Sequence, residues 1–144
     1  MGPAERYTKV EARRRDACKA AVCVACVVRQ MLGALPAKWV MVGHDGTGSL
    51  YLGLLEYHHL KSGNVRRGHM FGLGLCFWHH EGNQRQPPEG WTHQSLRDRY
   101  GPSLKDGARL FHETYGSDDE LLALQDEILR SYHPGEPELC ALPA

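Results

Sequence analysis

The chain has 144 residues, with 17 basic and 17 acidic side chains and a formal net charge of zero. This length fits one domain, and 42% hydrophobic with 24% charged residues indicates a globular protein rather than a disordered one. A neutral chain lacks the excess of Lys and Arg that gives strong unaided affinity for the phosphate backbone of DNA. If the protein acts on DNA, we therefore expect its basic residues to gather on one face, or another protein to present the DNA.

Targeting signals and the number of cysteines narrow the class of protein further. The longest apolar run near the start, residues 20–28, is too short to span a bilayer and lacks the layout of a signal peptide, so we expect a cytoplasmic protein without membrane contacts. Five cysteines, an odd number, argue against a disulfide framework. Nine histidines, including pairs at 58–59 and 79–80, are the most unusual feature of the composition and direct attention to metal chemistry.

The first predicted elements are a basic segment and two strands. Residues 1–16 are polar and basic, which predicts a frayed helix or a flexible N-terminal arm. Residues 38–42 and 50–57 predict strands on either side of a Gly-rich turn at residues 44–49. The second of these strands runs into the first His-His pair.

A third strand is predicted at residues 70–75, after a basic loop, and it leads into the second His-His pair. In the C-terminal third, residues 103–115 place apolar side chains on one helical face. Ser117 and Glu120 form a capping box that predicts the start of another helix. We interpret both helices as packing elements. The expected organisation is an arm (1–16), one domain (17–132) and a tail (133–144).

Two cysteine- and histidine-containing half-sites predict a zinc site. Cys23-x-x-Cys26 and Cys76-x-x-His79 each have the two-residue gap that lets two ligands reach one ion, and zinc prefers four such ligands in a closed structural site. The 49 intervening residues make the spacing moderately specific. In the alternative, Cys23 and Cys26 are buried apolar side chains on a helix. Cys18 could compete as a ligand but lacks the spacing.

The two His-His pairs predict a second, catalytic constellation. Neighbours on a strand point to opposite faces, so His58 and His59 can serve different purposes, one facing a metal and the other a substrate. His79 and His80 divide in the same way, between the zinc site and a second ion. A neutral imidazole is a suitable general base near neutral pH, and a divalent ion can hold a scissile phosphate and its leaving group.

At these residues the sequence resembles the HNH (ββα-metal) nuclease superfamily, and more closely the Ref family of phage RecA-dependent nucleases. The matching stretches are His58-His59-Leu60, Gly68-His69, Gly74-Leu75-Cys76, His79-His80, Gly101-Pro102-Ser103-Leu104, Phe111, Tyr115-Gly116 and residues 120–125. The resemblance runs from about residue 55 to residue 130. It implies an α+β fold, with a small ββα-metal core, a treble-clef-like structural zinc site and C-terminal packing helices.

The resemblance also implies roles for individual residues. His59 takes the place of the general base, and His58 and His80 take the places of ligands to a catalytic ion, Mg²⁺ or another divalent cation. Imidazole ligands suit Zn²⁺, Mn²⁺ or Ni²⁺ better than Mg²⁺. The middle Asn of the HNH pattern has no clear counterpart, since Asn64 lies in the loop. His69 is nearer the usual position, where it either orients the base or binds metal.

The expected function is hydrolysis of DNA phosphodiester bonds, by an endonuclease acting on DNA that a RecA-like filament presents during recombination. Such a protein would work in the cytoplasm of a bacterial host cell. Lys61, Arg66 and Arg67, in the loop after the first His-His pair, are candidate phosphate contacts. The alternative is a zinc-stabilised module that binds DNA or protein and cuts nothing, which would have no use for His58, His59 and His80.

Overall fold

The computed structural model describes residues 6–43, 55–83 and 89–143, and within these ranges the fold is α+β. The helices are α1 (Lys9–Ala20), α2 (Val24–Met31), α3 (Phe77–Glu81), α4 (His93–Tyr100), α5 (Ala108–Tyr115) and α6 (Asp118–Tyr132). The strands are β1 (Glu56–His59), β2 (Lys61–Ser62), β3 (Val65–Arg66) and β4 (Gly72–Leu75). No helix in these ranges is long and apolar enough to cross a membrane.

The buried sheet of the fold has two antiparallel strands, β1 and β4. β1 pairs with β4 so that Glu56 lies opposite Leu75 and His59 opposite Gly72, while β2 and β3 form a separate exposed ribbon. Every residue of β4 is buried, and α1 crosses it closely. A Cβ atom at Gly74 would lie 2.5 Å from the carbonyl oxygen of Cys18, so this crossing requires glycine.

The expected N-terminal arm needs correction, because residues 9–16 belong to α1 and pack against the core. Thr8 and Glu11 form a capping box at the start of this helix. Arg14 is fully buried, and its guanidinium donates to the Asp126 carboxylate (2.6 Å) and the Leu139 carbonyl (2.8 Å). This set of acceptors explains why a basic segment can pack rather than remain in solvent.

The expected C-terminal tail is likewise held against the predicted domain of residues 17–132. Leu139 is 2% exposed and belongs to a short 3₁₀ turn. The carboxylate of Asp126 accepts hydrogen bonds from the backbone nitrogens of Ala141 (2.9 Å) and Leu142 (2.8 Å). The buried Asp126 side chain therefore ties α1, α6 and the C-terminal segment together.

Two of the predicted strands differ from the structure. Residues 38–42 do not form a strand; residues 37–39 form a 3₁₀ turn, and Val42 makes one isolated bridge to Val22. The Gly-rich turn at 44–49 and the first residues of the strand predicted at 50–57 lie outside the described residues. The strand predicted at 70–75 is confirmed as β4.

The C-terminal helices are largely as predicted. The capping box of Ser117 and Glu120 is confirmed at the start of α6. α5 begins later than the expected residue 103, because Gly107, with φ of +115°, separates it from a 3₁₀ turn at residues 104–106. α4 was not predicted from the sequence.

Candidate metal centres

The first candidate centre is a buried cluster of three thiols and one imidazole. Cys23 and Cys26 stand at the start of α2, while Cys76 caps α3 and His79 lies in its single turn. His79 Nδ1 is 3.4 Å from Cys23 Sγ, 3.5 Å from Cys26 Sγ and 3.2 Å from Cys76 Sγ. Zinc bond lengths of about 2.3 Å to sulfur and about 2.0 Å to nitrogen give tetrahedral ligand separations of roughly 3.5 Å. The donors therefore fit a zinc-sized ion.

The outer contact of His79 fixes which ring nitrogen faces the cluster. Its Nε2 lies 2.7 Å from the carbonyl oxygen of Tyr100, which can only accept a hydrogen bond. Nε2 therefore carries a proton, and Nδ1 is the nitrogen that faces the thiols. The Tyr115 hydroxyl donates to the same carbonyl (3.0 Å), which holds this acceptor in place. Metal-binding histidines in proteins are usually oriented by such a contact.

Charge within this cluster favours a bound cation. Burial opposes a thiolate at Cys23, but hydrogen bonds from Cys26 and Cys76 and the positive charge of His79 hold its pKa well below the usual range. Burial likewise opposes a charge on His79, yet the negative charges of Cys76 and Cys23 raise its pKa well above the usual value. The thiolate charge is compensated by a proton, which a divalent cation can replace.

The second candidate centre lies where β1 meets α3. His58 and Glu56 are two residues apart and share one face of β1, which faces His80. The His58 and His80 rings are 5.1 Å apart, edge to face, and His80 Nδ1 lies 3.0 Å from Glu56 Oε1. Donor atoms of Glu56, His80 and Glu81 all lie within 4.8 Å of one another. One imidazole and two carboxylates therefore converge at a partly exposed position, and the His58 ring packs beside the His80 ring.

His58 has the protonation state that a metal ligand requires. Burial, followed by the positive charges of His80 and His59, lowers the pKa of His58 to about 4. At neutral pH the ring is uncharged and offers a nitrogen lone pair. The imidazole nitrogens of His58 and His80 suit a divalent cation.

His59 lies on the opposite face of β1 and belongs to a third group. Its Nε2 is 3.1 Å from the Tyr7 hydroxyl and 3.1 Å from His69 Nδ1. The Tyr7 ring stacks on the His69 ring with centroids 3.8 Å apart. Burial, then the charges of Arg66 and His69, lowers the pKa of His59 to about 4. His59 is therefore a neutral proton acceptor whose Nε2 is covered by a tyrosine of the N-terminal segment.

His69 supports this third group. The ring is 8% exposed, and its Nε2 is buried without a hydrogen-bond partner among the described residues. The Tyr57 hydroxyl donates to the His69 carbonyl (2.7 Å), which fixes the backbone at this point. Asn64, in contrast, lies exposed in the turn between β2 and β3.

The three candidate phosphate contacts have different surroundings. Lys61 and Arg66 lie directly opposite each other on the exposed β2–β3 ribbon. Like charges in such a pair repel and are relieved by a bound anion. Arg67 is engaged elsewhere, because it pairs with Asp119 (3.1 Å) and lies over the ring of Phe71.

The structure thus separates the sequence-predicted residues into three groups. Cys23, Cys26, Cys76 and His79 come together, His58 comes together with His80, and His59 with His69. Glu56 and Tyr7 were missed by the sequence reasoning. Glu56 could have been found from the sequence, because it lies two residues before His58 on the same strand and so shares its face. The sequence held no comparable signal for Tyr7, which is 52 residues from its partner His59.

Within the described residues, the fold and site define a small α+β protein with a buried Cys₃His cluster and a neighbouring histidine–carboxylate cluster, and α3 contributes residues to both. Residues 7–130 match the family described as recombination enhancement, RecA-dependent nuclease. The match covers most of the chain, so the chain belongs to this family. No curated protein and no solved structure matches the chain.

Proposed function

We propose that this protein is a metal-dependent DNA endonuclease of the HNH type, which cuts DNA presented by a RecA-type filament during recombination. Membership of the RecA-dependent nuclease family supports the nuclease activity and the involvement of RecA. The zero net charge supports the need for a filament, because the protein has little general attraction for bare DNA. The site of action would be the cytoplasm of a bacterial cell, including one infected by a phage.

One observation carries the metal part of this proposal. Adjacent residues on α3 face two different clusters, His79 towards the three thiols and His80 towards His58 and Glu56. In our proposal Cys23, Cys26, Cys76 and His79 hold a structural zinc ion. That ion would fix α3, and through it the position of His80 opposite β1. In this proposal the two centres form a treble-clef-like zinc site fused to a ββα-metal core.

The proposed reaction is an in-line attack of water on the scissile phosphorus. A divalent cation held by His58 and His80 would stabilise the phosphate charge and the leaving 3′-oxygen. His59 takes the proton from the attacking water at Nε2, where water replaces the Tyr7 hydroxyl. His69 Nδ1, 3.1 Å away, then accepts a hydrogen bond from the protonated His59. The products carry 3′-hydroxyl and 5′-phosphate ends.

His59 is the last residue of β1, and at this position the proposed base and the proposed ion can reach the same phosphate. His58 and His59 leave the strand on opposite faces. At the strand end, a phosphate could contact both side chains. Lys61 and Arg66 follow on the adjacent ribbon and would hold the neighbouring phosphates.

The test is cleavage of filament-bound DNA by purified variants with Mg²⁺ or Mn²⁺ present. His59→Ala should lower the cleavage rate by about 10²- to 10⁴-fold, the usual contribution of a general base. His133→Ala is the matched control, because His133 lies at the end of α6 and contacts Glu136 rather than the candidate centres. Unchanged cleavage by His59→Ala would refute the proposed base.

A second arm of the test separates the nuclease from the non-catalytic alternative. The double variant His58→Ala/His80→Ala should lose both cleavage and the second metal while it keeps zinc and a cooperative melting transition. If the wild-type protein binds filaments but never cuts DNA, the zinc-stabilised binding module is the correct interpretation.

A further inference from the structure

The contact between Glu56 and His80 has a chemical consequence for the second candidate centre. His80 Nδ1 lies 3.0 Å from Glu56 Oε1, and both side chains are about a quarter exposed. A carboxylate can only accept a hydrogen bond, so Nδ1 must carry the proton. The other ring nitrogen, Nε2, is then the one free to present a lone pair while the ring is neutral.

We infer that Glu56 is the positioning residue of the proposed ion site: it binds the Nδ1 proton of His80 and so makes Nε2 the donor atom towards a divalent cation. This inference rests on the proposed function, and it adds a residue to which the HNH resemblance gave no role. Carboxylates that hold metal-binding histidines by the second ring nitrogen are common, and their removal typically lowers metal affinity 10- to 100-fold.

The strand geometry supports the assignment to Glu56. Glu56 and His58 occupy alternate positions of β1 and so reach the same face. The pairing of Glu56 with Leu75 places it beside the residue that precedes the Cys76 cap of α3, so the carboxylate and His80 meet across the strand–helix junction. One strand thus supplies both a candidate ligand, His58, and the group that orients the other ligand.

Glu81 offers a matched control for charge. Its carboxylate lies within 4.8 Å of the donor atoms of Glu56 and His80, but it is exposed and follows His80 on α3. Glu81→Gln therefore removes the same charge from the neighbourhood without removing the acceptor at His80 Nδ1. A comparison of Glu56→Leu, which removes both the charge and the acceptor, with Glu81→Gln separates the orientation of the ring from a general loss of negative charge.

The first measurement is the tautomer of His80, read by nitrogen NMR of the ring in zinc-loaded protein without added Mn²⁺ at neutral pH. The wild-type protein and Glu81→Gln should show a protonated Nδ1 and an unprotonated Nε2. Glu56→Leu, which has no acceptor, should shift His80 towards the Nε2-protonated form that free imidazole side chains favour. A wild-type ring with Nε2 protonated, or with both nitrogens protonated, would overturn the inference.

The second measurement is Mn²⁺ affinity by calorimetry on the same zinc-loaded proteins. We expect Glu56→Leu to weaken binding about 10- to 100-fold, with zinc content and melting temperature unchanged, and Glu81→Gln to weaken it less. Equal losses in both variants would overturn the positioning role in favour of charge alone.

The His58→Ala and His80→Ala variants distinguish this inference from the proposed function. If they keep full Mn²⁺ affinity, the ion site itself is wrong and the inference falls with it. If they lose Mn²⁺ while Glu56→Leu binds as the wild type does, the role of Glu56 is refuted and the proposed site stands.

Discussion

Removal of metal from the Cys₃His cluster should unfold much of the protein. Cys23, Cys26 and His79 have no exposed surface and Cys76 is 3% exposed, so water cannot replace the ion as their partner. Structural zinc sites bind with about 10–16 kcal/mol in finger peptides, whereas whole domains are stable by about 5–15 kcal/mol. A zinc ion bound here would therefore supply free energy of the same size as the entire stability of the fold.

The assay is thermal unfolding by circular dichroism, with and without a strong chelator, together with metal analysis. For a chain of this size 1 kcal/mol shifts the melting midpoint by roughly 4 °C, so a loss of only about 5 kcal/mol lowers it by roughly 20 °C. Cys76→Ser should behave like the chelated wild type. Cys140→Ser, outside the cluster, should behave like the metal-loaded protein. A zinc-free protein with an unchanged midpoint would refute the reasoning.

Three further outcomes follow from other parts of the structure. The pKa of His59 is lowered to about 4, so the loss of cleavage activity on acidification should occur between pH 6.5 and 4 rather than near 6.5, and a loss of activity above pH 6.5 would contradict this. Folded His59 binds fewer protons than the unfolded chain across that window, so its contribution to stability is present above pH 6.5 and is lost as the pH falls. In shift assays at several salt concentrations, Arg66→Gln should weaken binding to filament-free DNA and lower the salt dependence of the DNA affinity by about one unit of slope. Arg67→Gln should change the DNA affinity less, because Arg67 already pairs with Asp119. Asp126→Asn should cost about 3–5 kcal/mol in urea unfolding because it leaves Arg14 buried and unpaired, and a loss below 1 kcal/mol would argue against that ion pair.

Short sequence motifs predicted those parts of the fold that depend on residues close together in the chain. The Cys-x-x-Cys and Cys-x-x-His spacings brought the correct four residues together, because each gap matches one helical turn at the start of α2 or α3. The capping box at Ser117 located the start of α6 for the same reason. The apolar run before Cys76 predicted β4.

Features that depend on distant partners were not predictable in this way. The polar, basic composition of residues 1–16 predicts a frayed helix or an arm, and only Asp126, 112 residues after Arg14, makes burial of that basic side chain favourable. The contact of Tyr7 with His59 likewise spans 52 residues. The alternation of side chains along a strand predicted that His58 and His59 lie on opposite faces, but it did not predict which residues each of them contacts there.

The helix α3 has five residues, too few to be stable by itself. Two of its neighbouring side chains, His79 and His80, belong to the two candidate centres. In the proposed function, a chain without zinc would have no fixed His80 and therefore no complete ion site. Occupancy of the buried cluster would then act as a check that must be passed before the second centre can assemble.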